Sequence, residues 1–269
     1  MRKESYRNER IIYYSDELND DFNDVGLKRN NIPQKYRFKF KNPIMKVVQS
    51  TLYYGLAKPV LSVGCFFNGV KLYNRKKLKE IRKNHGSVFL YGNHVAIMDA
   101  FKVQAYLIHK RCNIIGYSDT LSLGLFISFL AKCFGYLPLP SSSDILGYKK
   151  LYSALEECVK NGEHVVIFPE AHIWPYYTKI RDFKSGSFHY PAKLNVPVMP
   201  FVTVWRKVWW RKKPCQTVVF GDIIYPKKEY SVKENRDYLY EECIKQMKNI
   251  SNKFNQYEYV KYIREEENK

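Results

Sequence analysis

Ser87-Val88-Phe89-Leu90-Tyr91-Gly92-Asn93-His94-Val95-Ala96-Ile97-Met98-Asp99 decides how this chain folds. Its first six residues form a short apolar run, the pattern of a strand buried on both faces. A helix is predicted from near Ile97, with Phe101, Ala105 and Ile108 on one face. The pattern returns downstream, where Val165-Val166-Ile167-Phe168 is followed by Pro169-Glu170-Ala171-His172. Between the two, Asp144 is placed to cap a helix that runs to Asn161 and ends at Gly162, with Leu151, Leu155 and Val159 at helical spacing. Further strands are expected at Val70–Tyr73, Ile114–Tyr117, Val198–Val204 and Thr217–Phe220, and further helices at Arg75–Lys83, Phe188–Leu194 and Lys233–Asn255. Strands alternating with helices predict an α/β fold with a mainly parallel central sheet covered by helices. In such sheets ligands bind beyond the carboxyl ends of the strands. His94 and Glu170 both stand at such ends.

His94 and Asp99 fit an oriented general base. Histidine is the side chain whose ordinary pKa lies near neutrality. A carboxylate on its second ring nitrogen fixes the tautomer and stabilises the imidazolium. Five positions exceed the spacing of a helical pair, so His94 is expected in the turn before the helix and Asp99 in its first turn. This arrangement requires no metal and no cysteine.

Lys and Arg number 45 against 26 Asp and Glu, a formal charge of +19 that points to an anionic partner or a heavily solvated surface. No helix-turn-helix, zinc-finger or RNP-type signature accompanies it, so nucleic acid is not the expected partner. The six cysteines, Cys65, Cys112, Cys133, Cys158, Cys215 and Cys243, are scattered without a C-x2-C pair. They are expected as core residues in a reducing compartment.

Three segments are expected: a polar arm over residues 1–35, a helical and membrane-facing segment over residues 36–69, and the main domain over residues 70–269. The arm is mixed in charge and lacks the apolar core of a secretory signal. No stretch reaches the length of uninterrupted apolar sequence that a membrane span needs. Residues 44–67 are broken by Lys46, Gln49, Lys58 and Pro59, and residues 121–139 by Lys132. The first stretch reads as two short helices meeting near Pro59, either at a membrane interface behind the basic residues 35–41 or as a buried hairpin. Trp205-Arg206-Lys207-Val208-Trp209-Trp210-Arg211-Lys212-Lys213 mixes indole rings and cations in the manner of a membrane interface.

Four blocks in order between Asn93 and Phe201 carry a resemblance: Asn93-His94-x4-Asp99, Phe168-Pro169-Glu170, Phe183-Lys184-Ser185-Gly186-Ser187-Phe188, and Val196-Pro197-Val198-Met199-Pro200-Phe201. Together they resemble the glycerolipid acyltransferase family, which includes the lysophosphatidic acid acyltransferases. The resemblance implies transfer of a fatty acyl group from acyl-CoA or acyl carrier protein, as co-substrate rather than bound cofactor, to the hydroxyl of a lysophospholipid or related glycerolipid. It implies His94 as base, Asp99 as its orienter, and Glu170 and Lys184 as positioning groups for the acceptor. Gly186 would allow close backbone approach. An N-terminal helical pair would sit on an anionic membrane surface, with the enzyme facing the cytoplasm. The chain departs from the family where Gly-(Thr/Val)-Arg-Ser is replaced by Ala171-His172-Ile173-Trp174. An upstream arginine is also missing, from Gly135-Tyr136-Leu137-Pro138-Leu139-Pro140. Arg181 or Lys179 would then supply the charge for an acceptor phosphate, and His172 would donate to a phosphate or headgroup.

Two competing readings use the same residues. A metal-dependent hydrolase would employ His94, Asp99, Glu170 and His172 as ligands. A non-catalytic lipid- or membrane-binding protein would keep the fold alone.

Overall fold

The computed structural model describes residues 5–6, 9–22, 31–83, 86–106, 110–118, 121 and 124–265. The elements in chain order are β1 (Ser5–Tyr6), β2 (Glu9–Tyr14), α1 (Pro43–Thr51), α2 (Lys58–Phe67), β3 (Lys71–Tyr73), α3 (Arg75–Lys83), β4 (Phe89–Gly92), α4 (Asp99–Tyr106) and β5 (Cys112–Tyr117). They continue as α5 (Leu125–Cys133), β6 (Tyr136–Leu139), α6 (Ile145–Lys160), β7 (His164–Ile167), α7 (His189–Leu194), β8 (Val198–Arg206), β9 (Cys215–Phe220), α8 (Val232–Phe254) and β10 (Val260–Arg264).

Seven strands form the central sheet in the order β3-β9-β8-β4-β7-β5-β6. All neighbours are parallel except β8 and β9, which form an antiparallel hairpin. β4 lies in the middle with every residue buried, as expected of an apolar run covered on both faces. Successive side chains alternate between the faces. Phe89 and Tyr91 enter the core under α6, α7 and α8, whereas Leu90 joins Val103 of α4 and Ile81 of α3 on the other face. Asp144 caps α6 through the Gly147 amide, and Gly162, at φ 67°, follows its end.

The predicted break at Pro59 takes a different form. α1 and α2 are joined by a π-helical turn, Leu52–Ala57, and the chain stays helical from Pro43 to Phe67. The Lys58 amide bonds five residues back to the Tyr53 carbonyl. The wider turn lets the helix pass a residue that has no amide of its own to donate. Ser62 Oγ bonds the Ala105 carbonyl of α4, and Gln49 Nε2 bonds the Lys132 carbonyl of α5. The run is thereby fastened to the domain while Val60, Phe66 and Phe67 stay exposed. Among the described residues no helix is long and apolar enough to cross a membrane.

The polar arm has structure where it is described. β2 pairs in parallel with β10 from the other end of the chain, and β1 adds to the outer side. This small sheet packs Tyr14, Phe22 and Tyr262 around Trp174. All six cysteines are buried and free.

Candidate active site

β4 and β7 run side by side in register, Tyr91 opposite Ile167, so their carboxyl ends carry His94 and Glu170 to the same place. On the other flank β4 pairs with β8, Gly92 opposite Phe201. A side chain at Gly92 would sit 2.1 Å from the Phe201 ring, so only glycine fits there. Asn93 then locks the end of the strand. Its amide accepts from Thr203 N (2.8 Å) and donates to Thr203 O (3.1 Å).

The turn after Asn93 is held through the backbone of His94, Val95 and Ala96. The His94 amide donates to Glu170 Oε2 (3.1 Å). The Val95 and Ala96 amides both donate to Asp99 Oδ2, at 2.7 and 2.6 Å. The carbonyls of His94 and Val95 accept from the amides of Trp174 and Tyr176. α4 begins at Asp99, so His94 lies in the turn and Asp99 in the first helical turn, as the five-residue spacing predicts.

His94 stacks on Phe168, with ring centroids 4.4 Å apart. Its Nδ1 is buried and faces Asp99 Oδ2 at 3.6 Å, beyond hydrogen-bond length. That oxygen is already shared by two amides. Such bonds commonly tighten when substrate binds. Asp99 is fully buried, and its Oδ1 receives Lys102 Nζ (2.5 Å) and Thr203 Oγ1 (3.4 Å). Burial pushes the carboxyl up, but the Lys102 charge and His94 outweigh it and hold the pKa at about 2. Lys102 went unnoticed in the sequence, although its position three residues after Asp99 on one helix face was the available signal.

Glu170 is also buried. Oε1 accepts from the Arg181 amide (3.1 Å), and Oε2 pairs with the Arg181 guanidinium (3.2 Å). Burial pushes this carboxyl up, opposed by Arg181 and by the two amides. The carboxylate is thus spent on the turn and on Arg181. Arg181 does not stand where a substrate phosphate would meet it. It is 1% exposed, spans to the carbonyls of His172 and Glu17, and lies over the Trp174 ring at 4.8 Å. His172 faces Asp21 of the arm, Nδ1 to Oδ2 at 3.3 Å. Trp174 is wholly buried and donates from Nε1 to the Asp20 carbonyl (2.7 Å). The residues that replace Gly-(Thr/Val)-Arg-Ser therefore anchor the small sheet.

Lys184 and Gly186 are exposed and lie apart from this group. Their loop packs through Phe183 and Phe188 on the α6–α8 face, where Phe188 stacks on Tyr91 at 4.0 Å. The His94 ring and its partner Phe168 pack toward the other face. Three of the four side chains of the metal-hydrolase reading are committed elsewhere: Asp99 to Lys102, Glu170 to Arg181, and His172 to Asp21. Among the described residues no three His, Cys, Asp or Glu side chains converge as a metal site.

A cleft of about 860 Å³ runs beside the turn. Its walls are α2, the stretch Val95–Met98, Phe101 and Lys102 of α4, the β8–β9 hairpin, and Ile173, Pro175 and Tyr176 from the segment after Glu170.

Among solved structures, the chain is similar to the 1-acyl-sn-glycerophosphate (LPA) acyltransferase PlsC from Thermotoga maritima. It shares 16% sequence identity at a TM-score of 0.45, over 79% of this chain and 95% of that one. No curated protein matches the sequence. The family model described as Acyltransferase matches residues 70–204, half of the chain, taking in both His94 and Glu170, and the chain belongs to that acyltransferase family.

Proposed function

We propose that this acyltransferase moves a fatty acyl group from a thioester donor, acyl-CoA or acyl carrier protein, to the hydroxyl of a lysophospholipid-type acceptor. The observation that carries the reading is the His94–Asp99 pair, set in a turn whose His94, Val95 and Ala96 amides are all bonded, beside the long cleft. With Nδ1 turned to Asp99, Nε2 is the nitrogen left for substrate. It takes the proton of the acceptor hydroxyl as that oxygen attacks the thioester carbonyl. The C–O bond forms, the C–S bond breaks, and the thiolate leaves with the proton from His94. The ionised Asp99 stabilises the imidazolium between these two transfers. Glu170 acts through the backbone, fixing the turn that aims His94. No resident cofactor is required.

Membrane association is part of the proposal. Phe66 of α2 is 77% exposed and Leu125 of α5 is 93% exposed. The bond from Gln49 to the Lys132 carbonyl joins α5 to α1, where Ile44 and Val47 are exposed too. Large apolar side chains left exposed on these helices suit an interaction surface, and the excess of basic residues suits anionic lipid. The free, buried cysteines fit an enzyme facing the cytoplasm. Lys184 remains available as an exposed cation for the headgroup.

The test is transfer of label from acyl-CoA to a panel of lysolipids and glycerol phosphate, with His94→Ala beside the wild type. Removing the base is expected to lower kcat by about 10²–10⁴-fold. Undiminished transfer by the variant would sink the mechanism.

A further inference from the structure

The cleft beside His94 is apolar along most of its length and cationic at one end. Its lining contains no Asp or Glu. Leu61 and Val60 of α2 face Ile97, Met98 and Phe101 across it, whereas Arg211, Lys212 and Lys213 border it from the hairpin. That hairpin loop lies beyond residues 70–204, the part shared with the family.

The cationic end is held in place before any ligand arrives. Arg211 Nη2 donates to the Phe67 carbonyl (2.6 Å), and Arg206 Nη2 donates to the Gly69 carbonyl (2.5 Å). Both bonds fasten the hairpin to the end of α2. Lys212 and Lys213 are exposed and make no hydrogen bond or ion pair among the described residues. Cations without a carboxylate partner, on a fixed support, cost little to reorganise around an anion. The two neighbouring tryptophans divide the labour. Trp210 lines the cleft, whereas Trp209 is 89% exposed and lies outside it. A loop serving only to dip into lipid would not need its cations along the cleft that borders the Val95–Met98 turn next to His94.

The flank on the Glu170 side offers an anion little. There Arg181 is consumed by Glu170, and the surface near His172 carries Asp21.

We propose that Arg211, Lys212 and Lys213 form a phosphate-binding subsite at the mouth of the catalytic cleft, which receives a phosphate of one substrate while its acyl chain lies against α2 and α4. This rests on the acyl-transfer reading above and adds the group that recognises the substrate's charge. A phosphate monoester on the acceptor and the phosphates of a coenzyme A donor share this chemistry.

The experiment compares the full chain with its Lys212→Gln/Lys213→Gln variant in detergent micelles, using paired substrates. The donors are acyl-CoA and the phosphate-free acyl-N-acetylcysteamine; the acceptors are a lysophosphatidate and a monoacylglycerol. KM for the phosphate-bearing member of one pair should rise about tenfold, with kcat held within about twofold. Its phosphate-free counterpart should not change. The pair that responds tells whether the phosphate is the donor's or the acceptor's. Inorganic phosphate should compete with that same substrate in the wild type and lose potency in the variant. An unchanged KM in every arm overturns the subsite. So does an equal rise for charged and neutral substrates, which would assign the lysines to the lipid surface instead. Wild-type protein inactive with all four combinations would overturn the acyl-transfer reading itself, a result distinct from either.

Discussion

Asp99 and Glu170 grip the same turn from opposite flanks, and their surroundings differ. Asp99 holds the amides of Val95 and Ala96; Glu170 holds that of His94. Each has a buried cation, Lys102 in one case and Arg181 in the other. On the Asp99 flank the cation sits at 2.5 Å, the carboxyl is held at about 2, and the open cleft begins at Lys102. On the Glu170 flank burial pushes the carboxyl the other way, and the arm and Trp174 close over the ion pair. One flank keeps a dependable negative charge behind His94, while the other serves as a clamp that needs acceptor oxygens more than charge.

Neutral isosteres separate these roles. Asp99→Asn removes the charge that stabilises the imidazolium and is expected to lower kcat by about 10²–10⁴-fold. Glu170→Gln keeps a carbonyl oxygen for the His94 amide and is expected to lower kcat less than about tenfold. Steady-state kinetics on both variants, with thermal melts as a folding control, decides it. Equal losses in folded variants would break the comparison and bring the Glu170 charge into the chemistry.

The pH dependence of stability needs a third group to be assigned correctly. His164, at the start of β7, is buried and accepts the Val88 amide at Nδ1 (3.2 Å). Burial, aided by the Lys110 charge, pushes its pKa down from 6.5 to about 4. The unfolded chain therefore binds a proton between those values that the folded chain refuses. Stability should fall as pH drops from 6.5 to 4, by about 3 kcal/mol, and level off below that. Asp99 has its pKa lowered, so its contribution is lost only as pH falls from 3.8 toward 2. Glu170 has its pKa raised and loses its contribution as pH rises instead. Urea titrations across this range should show a flattened acid slope in His164→Asn. An unchanged slope would return the acid loss to other groups.

The open flank was far more legible in the sequence than the closed one. Phe89–Tyr91 and Val165–Phe168 are short apolar runs, the pattern of a doubly covered strand, and the His94–Asp99 spacing placed both residues correctly about the start of α4. The closed flank depends on partners distant along the chain. β2 holds the strand-favouring run Ile11-Ile12-Tyr13-Tyr14, but nothing local indicates that it pairs with Val260–Arg264. The same blindness made Arg181 look free to meet an acceptor phosphate, since its burial is created by Glu17 and Trp174 packing around it. The helix through Pro59 was misread for a different reason. Proline forbids an ordinary turn, but one wider turn removes the conflict, and residue propensities carry no mark of that.

The segment after Glu170 bears local strain at Ala171 and again at Tyr176, which lines the cleft and has φ 65°. Ala171 sits at φ 63°, in the left-handed region, immediately after Glu170. Its amide bonds the Phe168 carbonyl, and its carbonyl accepts from Tyr117, so the conformation is fixed at both ends. A Cβ in this region costs about 1–2 kcal/mol. The same conformation at Asn74 and Asn195 is milder, because asparagine tolerates it. Replacing Ala171 with glycine removes the penalty but frees the unfolded chain, which returns about 0.4–1 kcal/mol. The net expectation is a stabilisation of about 0.5–1 kcal/mol, read as an increase in the urea midpoint at unchanged slope. Most alanine-to-glycine changes weaken a protein, so the sign alone is diagnostic. A destabilised Ala171→Gly would mean that the clamp does not need the left-handed turn. A stabilised one with undiminished acyl transfer would show that the strain is a cost of adapting this loop to hold the arm, borne on the flank away from the chemistry.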